Sequence, residues 1–244
     1  MAVNDAFDWR RSDRRVFGVA AILFAAIVII GFARTYYLRF AFEVPAIPST
    51  LVHIHGVIMS AWVAFFLTQV FLVRTKRTKV HMSLGLLGIA LAIIVVVVGF
   101  FTAAAAAKHG SPTAPPDIPP LAFFAVPFFD MLLFPLLFGA AIYYRTNLAN
   151  HKRLMILTAI AFLPPAVARI PIPALQSLGP LFFFGFPALL TVVLVAYDSW
   201  RMGKVNKVFL AAAVVLIASY PVRLMISGTE AWMSFAAWVT SWAA

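Results

Sequence analysis

Seven apolar stretches, each near the length a helix needs to cross a lipid bilayer, take up most of the chain. They run over 16–34, 50–73, 80–103, 120–144, 154–170, 181–200 and 207–226. A crossing takes roughly 20 apolar residues at 1.5 Å rise per residue. Composition agrees, because 64% of the 244 residues are hydrophobic and only 11% are charged, where a soluble domain averages about a quarter charged. One water-facing core cannot hide so much apolar surface, so lipid must solvate part of it. The expected fold is all-α: an integral membrane bundle of about seven transmembrane helices over 16–226, flanked by an N-terminal segment 1–15 and a C-terminal segment 227–244. Six crossings with one re-entrant span is the competing arrangement. Pro48, Ser49 and Thr50 form a helix-start signal for the second span. The tail AWMSFAAWVTSWAA, with three Trp, predicts an interfacial helix along the bilayer surface.

The net charge of +11 raises a nucleic-acid reading, which its distribution removes. Basic residues sit in short clusters between the apolar runs, where they act as topology signals. With seven spans, one side carries Arg10, Arg11, Arg14, Arg15, Arg74, Lys76, Arg77, Lys79, Arg145, Lys152, Arg153, Arg201, Lys204 and Lys207. The other carries only Arg34, Arg39, Lys108, Arg169 and Arg223. This bias predicts a cytoplasmic N-terminus and a multi-pass protein of the bacterial inner membrane. The first apolar run is longer than a usual signal core and lacks a small-residue cleavage site, so it reads as a retained span. Absence of cysteine removes disulfides, thiolate metal sites and iron–sulfur clusters.

A weak repeat runs through the three cytoplasmic hairpins. The second helices open with RTKRTKVHMSLG, RTNLANHKRLM and RMGKVNKVFL, and helices 5 and 7 end in PPAVAR and YPVR. Repeats of this kind place related residues at matching depth. His81, His151 and Asn206 thus fall at one side, Arg169 and Arg223 at the other.

Ionisable residues inside a span are expensive, and each needs a reason. The inner group comprises His81 and His151, each at the first turn of its helix, with Asp198 at similar depth. Two histidines on neighbouring helices can ligate a haem iron axially or share a metal, with Lys79, Lys152 and Arg153 placed to pair haem propionates. The plainer alternative is that they hydrogen-bond water or a helix end. The outer group comprises His53, His55, Asp130, Arg169 and Arg223. Histidine and carboxylate ligands suit zinc, so His53, His55 and Asp130 are a candidate metal set whose bound water would be a nucleophile. Arg169 and Arg223 are candidates to hold an anionic head group or carboxylate. The plainer alternative pairs Asp130 with Arg169. His53 and His55 point about 200° apart on a regular helix, so one faces the bundle and the other the loop. His109 falls in an outer loop and reads as solvated. HExxH, GxSxG, P-loop and dinucleotide-binding motifs are all missing, and the last helix has no mid-span Lys for a retinal Schiff base.

The stretch HGVIMSAWVAFFLTQVFLVR, followed by His81 in VHMSLG, resembles the core of ascorbate-type transmembrane cytochromes b. In that superfamily a helix opens with His-Gly and ends in Arg, and the next opens with a haem-ligating His. The resemblance covers about 35 residues and implies His55 and His81 as ligands on successive helices, with His151 in NHKRLM as the partner of His81. It departs at the fourth helix, which lacks the histidine expected to partner His55. The order of an early His, then R…HxxLG, then HKRLM also resembles uncharacterised bacterial polytopic membrane proteins, and that likeness implies no activity. Three functions follow as expectations: a b-type haem electron carrier with a redox partner or membrane complex, a zinc or small-ligand site on the outer face, or a non-enzymatic accessory or assembly subunit.

Overall fold

The computed structural model describes residues 2–110 and 117–242, with side chains from residue 16 onward. Arg10, Arg11, Arg14 and Arg15, which enter the charge count, have side chains outside the described set. Among the described residues the chain is helical, with no strand. In order the helices are α1 (Ala2–Phe32), α2 (Thr50–Arg74), α3 (Thr78–His109), α4 (Pro120–Phe123), α5 (Ala125–Tyr143), α6 (Leu148–Ala161), α7 (Leu163–Val167), α8 (Pro173–Gln176), α9 (Pro180–Phe183), α10 (Gly185–Met202), α11 (Lys207–Ile226) and α12 (Glu230–Ser241). A π-helical turn, Ala33–Tyr37, extends α1, and a 3-10 turn, Arg39–Ala41, follows it.

Six helical segments are long and apolar enough to cross a membrane: Val16–Tyr37, Thr50–Arg74, Thr78–His109, Pro120–Tyr143, Pro180–Met202 and Lys207–Ile226. Their starts obey local rules. Ser49 accepts a hydrogen bond from the Val52 amide at 3.3 Å, Asn147 from Asn150 at 3.2 Å, and Asn206 from Phe209 at 2.9 Å. Each side chain satisfies one amide that the first turn leaves without a partner. Outward faces remain apolar: Leu86 is 75% exposed, Leu189 62% and Met225 77%. Lipid, not water, is the medium that such faces suit.

The apolar run at 154–170 behaves differently. It is divided between α6 and α7 by a break at Phe162, just ahead of Pro164 and Pro165. Proline lacks the amide and clashes with the preceding turn, so a straight helix cannot continue through this pair. This broken segment is the most enclosed part of the molecule, with Leu154, Leu157, Ile160, Leu163, Ala166 and Val167 at most 2% exposed. Helices α1, α5, α10 and α11 surround it. Gly31 allows α1 to approach α7 closely, because a Cβ there would run into the Ala166 carbonyl.

At 32 residues, α3 is about 48 Å long, well beyond a hydrocarbon core of about 30 Å. Its last turns bury Ala103, Ala104 and Ala107 in a small second core with Phe124, Trp232 and Ala236. The C-terminal segment therefore forms a helix, α12, with one face packed on protein. Trp232, Ala236 and Thr240 lie four residues apart and are buried, while the Trp232 indole donates to the Leu121 carbonyl at 2.9 Å. Trp238 and Trp242 remain 58% and 73% exposed on the outer face.

Candidate functional site

Polar side chains collect at the two ends of the bundle. The end formed by the 74–78, 144–148 and 202–207 connections is the basic end. There the start of α6 is tied to two neighbours. Arg153 reaches Asp198 on α10 through two parallel contacts, Nε to Oδ2 at 2.8 Å and Nη2 to Oδ1 at 2.5 Å, and also donates to the Ala149 carbonyl at 2.6 Å. Both side chains are nearly inaccessible, at 1% and 7%. The fork of the guanidinium matches the carboxylate, which keeps a buried charge tolerable. Arg153, one of three basic residues expected beside a haem, is thus engaged with Asp198. One turn away, Asn206 of α11 donates to Asn150 at 2.8 Å. Lys152 holds its ammonium 4.9 Å from the Phe17 ring centre.

His81 of α3 and His151 of α6 come together at this end, with ring centres 6.3 Å apart and planes at 69°. His151 Nδ1 lies 2.8 Å from the Ala141 carbonyl. A carbonyl only accepts, so Nδ1 carries the proton and Nε2 of the neutral ring presents its lone pair. His81 Nδ1 is buried with no partner in the protein. Gln69, five residues before the end of α2, is 9% exposed, and neither its amide nitrogen nor its oxygen finds a partner.

The opposite end holds the remaining candidates. Asp130 pairs with Arg223, Nη1 to Oδ1 at 2.7 Å, and not with Arg169. Arg223 also donates to the Val126 carbonyl at 3.1 Å and to the Ser219 hydroxyl at 3.2 Å, and Phe129, Phe184 and Tyr220 ring its guanidinium at 5.2–5.5 Å. Helix α11, not the end of α7, packs against α5, which decides which arginine Asp130 meets. His53 is exposed beside Tyr36, with ring centres 5.8 Å apart, while His55 is partly buried with Nδ1 unpartnered. The 200° divergence of the two side chains accounts for these separate fates. Arg169 donates to the Pro165 carbonyl at 2.7 Å and lies 4.9 Å from the Phe32 ring centre.

The zinc set His53, His55 and Asp130 is not brought together. Among the described residues no three His, Cys, Asp or Glu side chains are grouped to hold a metal ion. Asp130 already has a guanidinium, and His53 faces away. Sequence reasoning passed over Trp62 and Gln69. Together with His55 they recur every seven residues along one face of α2, and each has a buried polar atom without a partner. That heptad spacing inside an apolar run was a readable signal. Against known proteins, the chain matches no family model, no curated protein and no solved structure.

Proposed function

We propose that the chain crosses the membrane seven times, with its N-terminus in the cytoplasm, and carries electrons through a b-type haem held by His81 and His151. The reading of α6 and α7 as the seventh crossing rests on their combined reach from Leu148 to Val167 and on the proline-broken form that a span fully enclosed by other helices tolerates. Orientation rests on the basic residues gathered at the end where α2, α5 and α10 finish, in a bacterial inner membrane.

One observation carries the haem assignment: the 6.3 Å separation of the two imidazole centres. At that separation His81 and His151 are close enough that both would reach one metal, since metal–nitrogen bonds are about 2.0–2.1 Å long. The Ala141 carbonyl supports the reading, because it holds the His151 ring in the tautomer whose Nε2 can ligate. A haem so held supplies a one-electron couple. The protein's part is to orient both rings and to enclose the group among apolar helices. Lys79 and Lys152 stand at the same end, where propionates would meet solvent. The resemblance to ascorbate-type cytochromes b points the same way, and a redox partner at the cytoplasmic face follows from it.

The test is an absorption spectrum of protein purified from haem-replete cells. A Soret band that sharpens on reduction, and that disappears in both His81→Ala and His151→Ala, is expected. A colourless wild-type preparation would overturn the assignment.

A further inference from the structure

Four consecutive residues near the start of α6, Asn150 to Arg153, each engage a different neighbour. Asn150 accepts a hydrogen bond from Asn206 of α11 at 2.8 Å. His151 donates to the Ala141 carbonyl of α5 at 2.8 Å, and its ring faces His81 of α3. Lys152 holds its ammonium over the Phe17 ring of α1. Arg153 forks onto Asp198 of α10. Successive residues leave a helix about 100° apart, so these four directions go round the whole circumference of α6.

Ties spread in this way stop a helix from turning about its own axis, because a rotation that slackens one stretches another. The rest of α6 supplies no such directional hold. Leu154, Ile156, Leu157, Ala159 and Ile160 are all buried, and apolar burial is non-directional. Thr158, the one polar side chain further along α6, bonds the Met155 carbonyl of its own helix. Rotation matters because the His151 ring lies at the rim. A helix with its side chains is about 10–12 Å across, so a turn of about 20° carries a ring at the rim about 2 Å. Groups that act together must be held within about 0.5 Å, which limits the turn to about 5°.

We infer that Asn150 and Arg153 are positioning residues for His151: through Asn206 and Asp198 they fix the rotation of α6 that sets its ring against His81 and the Ala141 carbonyl. The inference rests on the reading of His81 and His151 as a ligating pair. Arg153 leaves the helix about 200° from His151 and Asn150 about 100° from it, so both act on the ring from other sides of α6. The buried ion pair thereby has a use that packing alone would not require, since polar groups inside a bundle specify one arrangement among several of similar stability.

Nitrogen NMR of the histidine rings, in isotope-labelled whole protein in nanodiscs at alkaline pH, tests this, with His151→Gln for assignment. Wild-type His151 should give one set of ring signals, protonated at Nδ1. Arg153→Met with Asp198→Leu removes the tie and strands no charge. It should add a second set of comparable intensity, protonated at Nε2, because an imidazole released from its carbonyl populates both neutral forms. Asn150→Ala, which leaves the Asn206 cap of α11 in place, should add a smaller second set, and it carries the test if the double variant fails to fold. Asp130→Leu with Arg223→Met removes the ion pair at the other end of the bundle and should leave the His151 signals unchanged. In haem-loaded protein the low-spin ferric spectrum should weaken in the first double variant and persist in the second. A wild-type ring protonated at Nε2, unchanged His151 signals in both tie variants, or an equal shift in the far-end variant would each overturn the inference. A colourless wild type would sink the haem assignment alone, and the ring signals would still decide the role of Asn150 and Arg153.

Discussion

Arg223 and Arg169 end related sequences, YPVR and PPAVAR, at the same end of the bundle, yet they meet opposite circumstances. Arg223 is fully buried against Asp130, with the Val126 carbonyl, the Ser219 hydroxyl and three aromatic rings around it. Arg169 has one carbonyl and one ring, and no carboxylate among the described residues. The first is a closed ion pair that pins α11 to α5. The second rests on the backbone of its own helix end and on the Phe32 ring. A repeated arginine thus joins two helices where a carboxylate faces it and caps its own helix end where none does.

The sharpest way to break this contrast is to remove the carboxylate. Asp130→Ala strands a buried guanidinium, and we expect a loss of about 3–5 kcal/mol in unfolding measurements. The double variant Asp130→Leu with Arg223→Met should recover most of that, since a buried pair replaced by apolar groups of similar size is often neutral. If the single variant costs nothing, the pair is not what holds α11 to α5. Next in size is Gly31→Val, which drives α1 from the backbone that carries Arg169. An overpacking cost of about 1–3 kcal/mol is expected, read as a lower denaturation midpoint. Tyr37→Phe, which deletes the bond to Ser60, should cost about 0.5–1.5 kcal/mol. Smallest of all is Arg169→Met. It strands no opposite charge and gives up one bond to the Pro165 carbonyl, so a change of about 0.5 kcal/mol is expected. A loss as large as that of Asp130→Ala would erase the distinction between the two arginines.

The long helices were legible because a crossing needs an uninterrupted apolar run, and six runs stand out with helix starts such as Ser49 and Asn206 beside them. The divergence of His53 and His55 was legible for a similar reason, since 100° per residue separates them wherever the helix lies. Partner choice was not. Asp130 is 93 residues from Arg223 and 39 from Arg169, and nothing local says which helix end will face α5. The same ignorance made Arg153 look available, because Asp198 lies on another helix whose packing is a property of the whole bundle. The π-turn at Ala33–Tyr37 was hidden as well, as its residues carry no breaker that marks it. Bringing His81 and His151 near each other required only that both start helices at one depth. The orientation of His151 required the Ala141 carbonyl, a backbone group invisible to side-chain patterns.

The broken pair α6 and α7 bears on how the protein is made. A nascent chain emerges in order, and this segment leaves the ribosome before α10 and α11, two of the helices that enclose it. Arg153 then waits for Asp198, which is synthesised 45 residues later. Until that happens, the segment offers lipid a charged first turn and a prolyl break, both poor terms for solitary insertion. Biogenesis therefore favours holding α6 and α7 beside α1 and α5 until the last hairpin arrives. A chain truncated before α10 would leave Arg153 without its carboxylate and α6 and α7 uncovered on the sides where α10 and α11 pack.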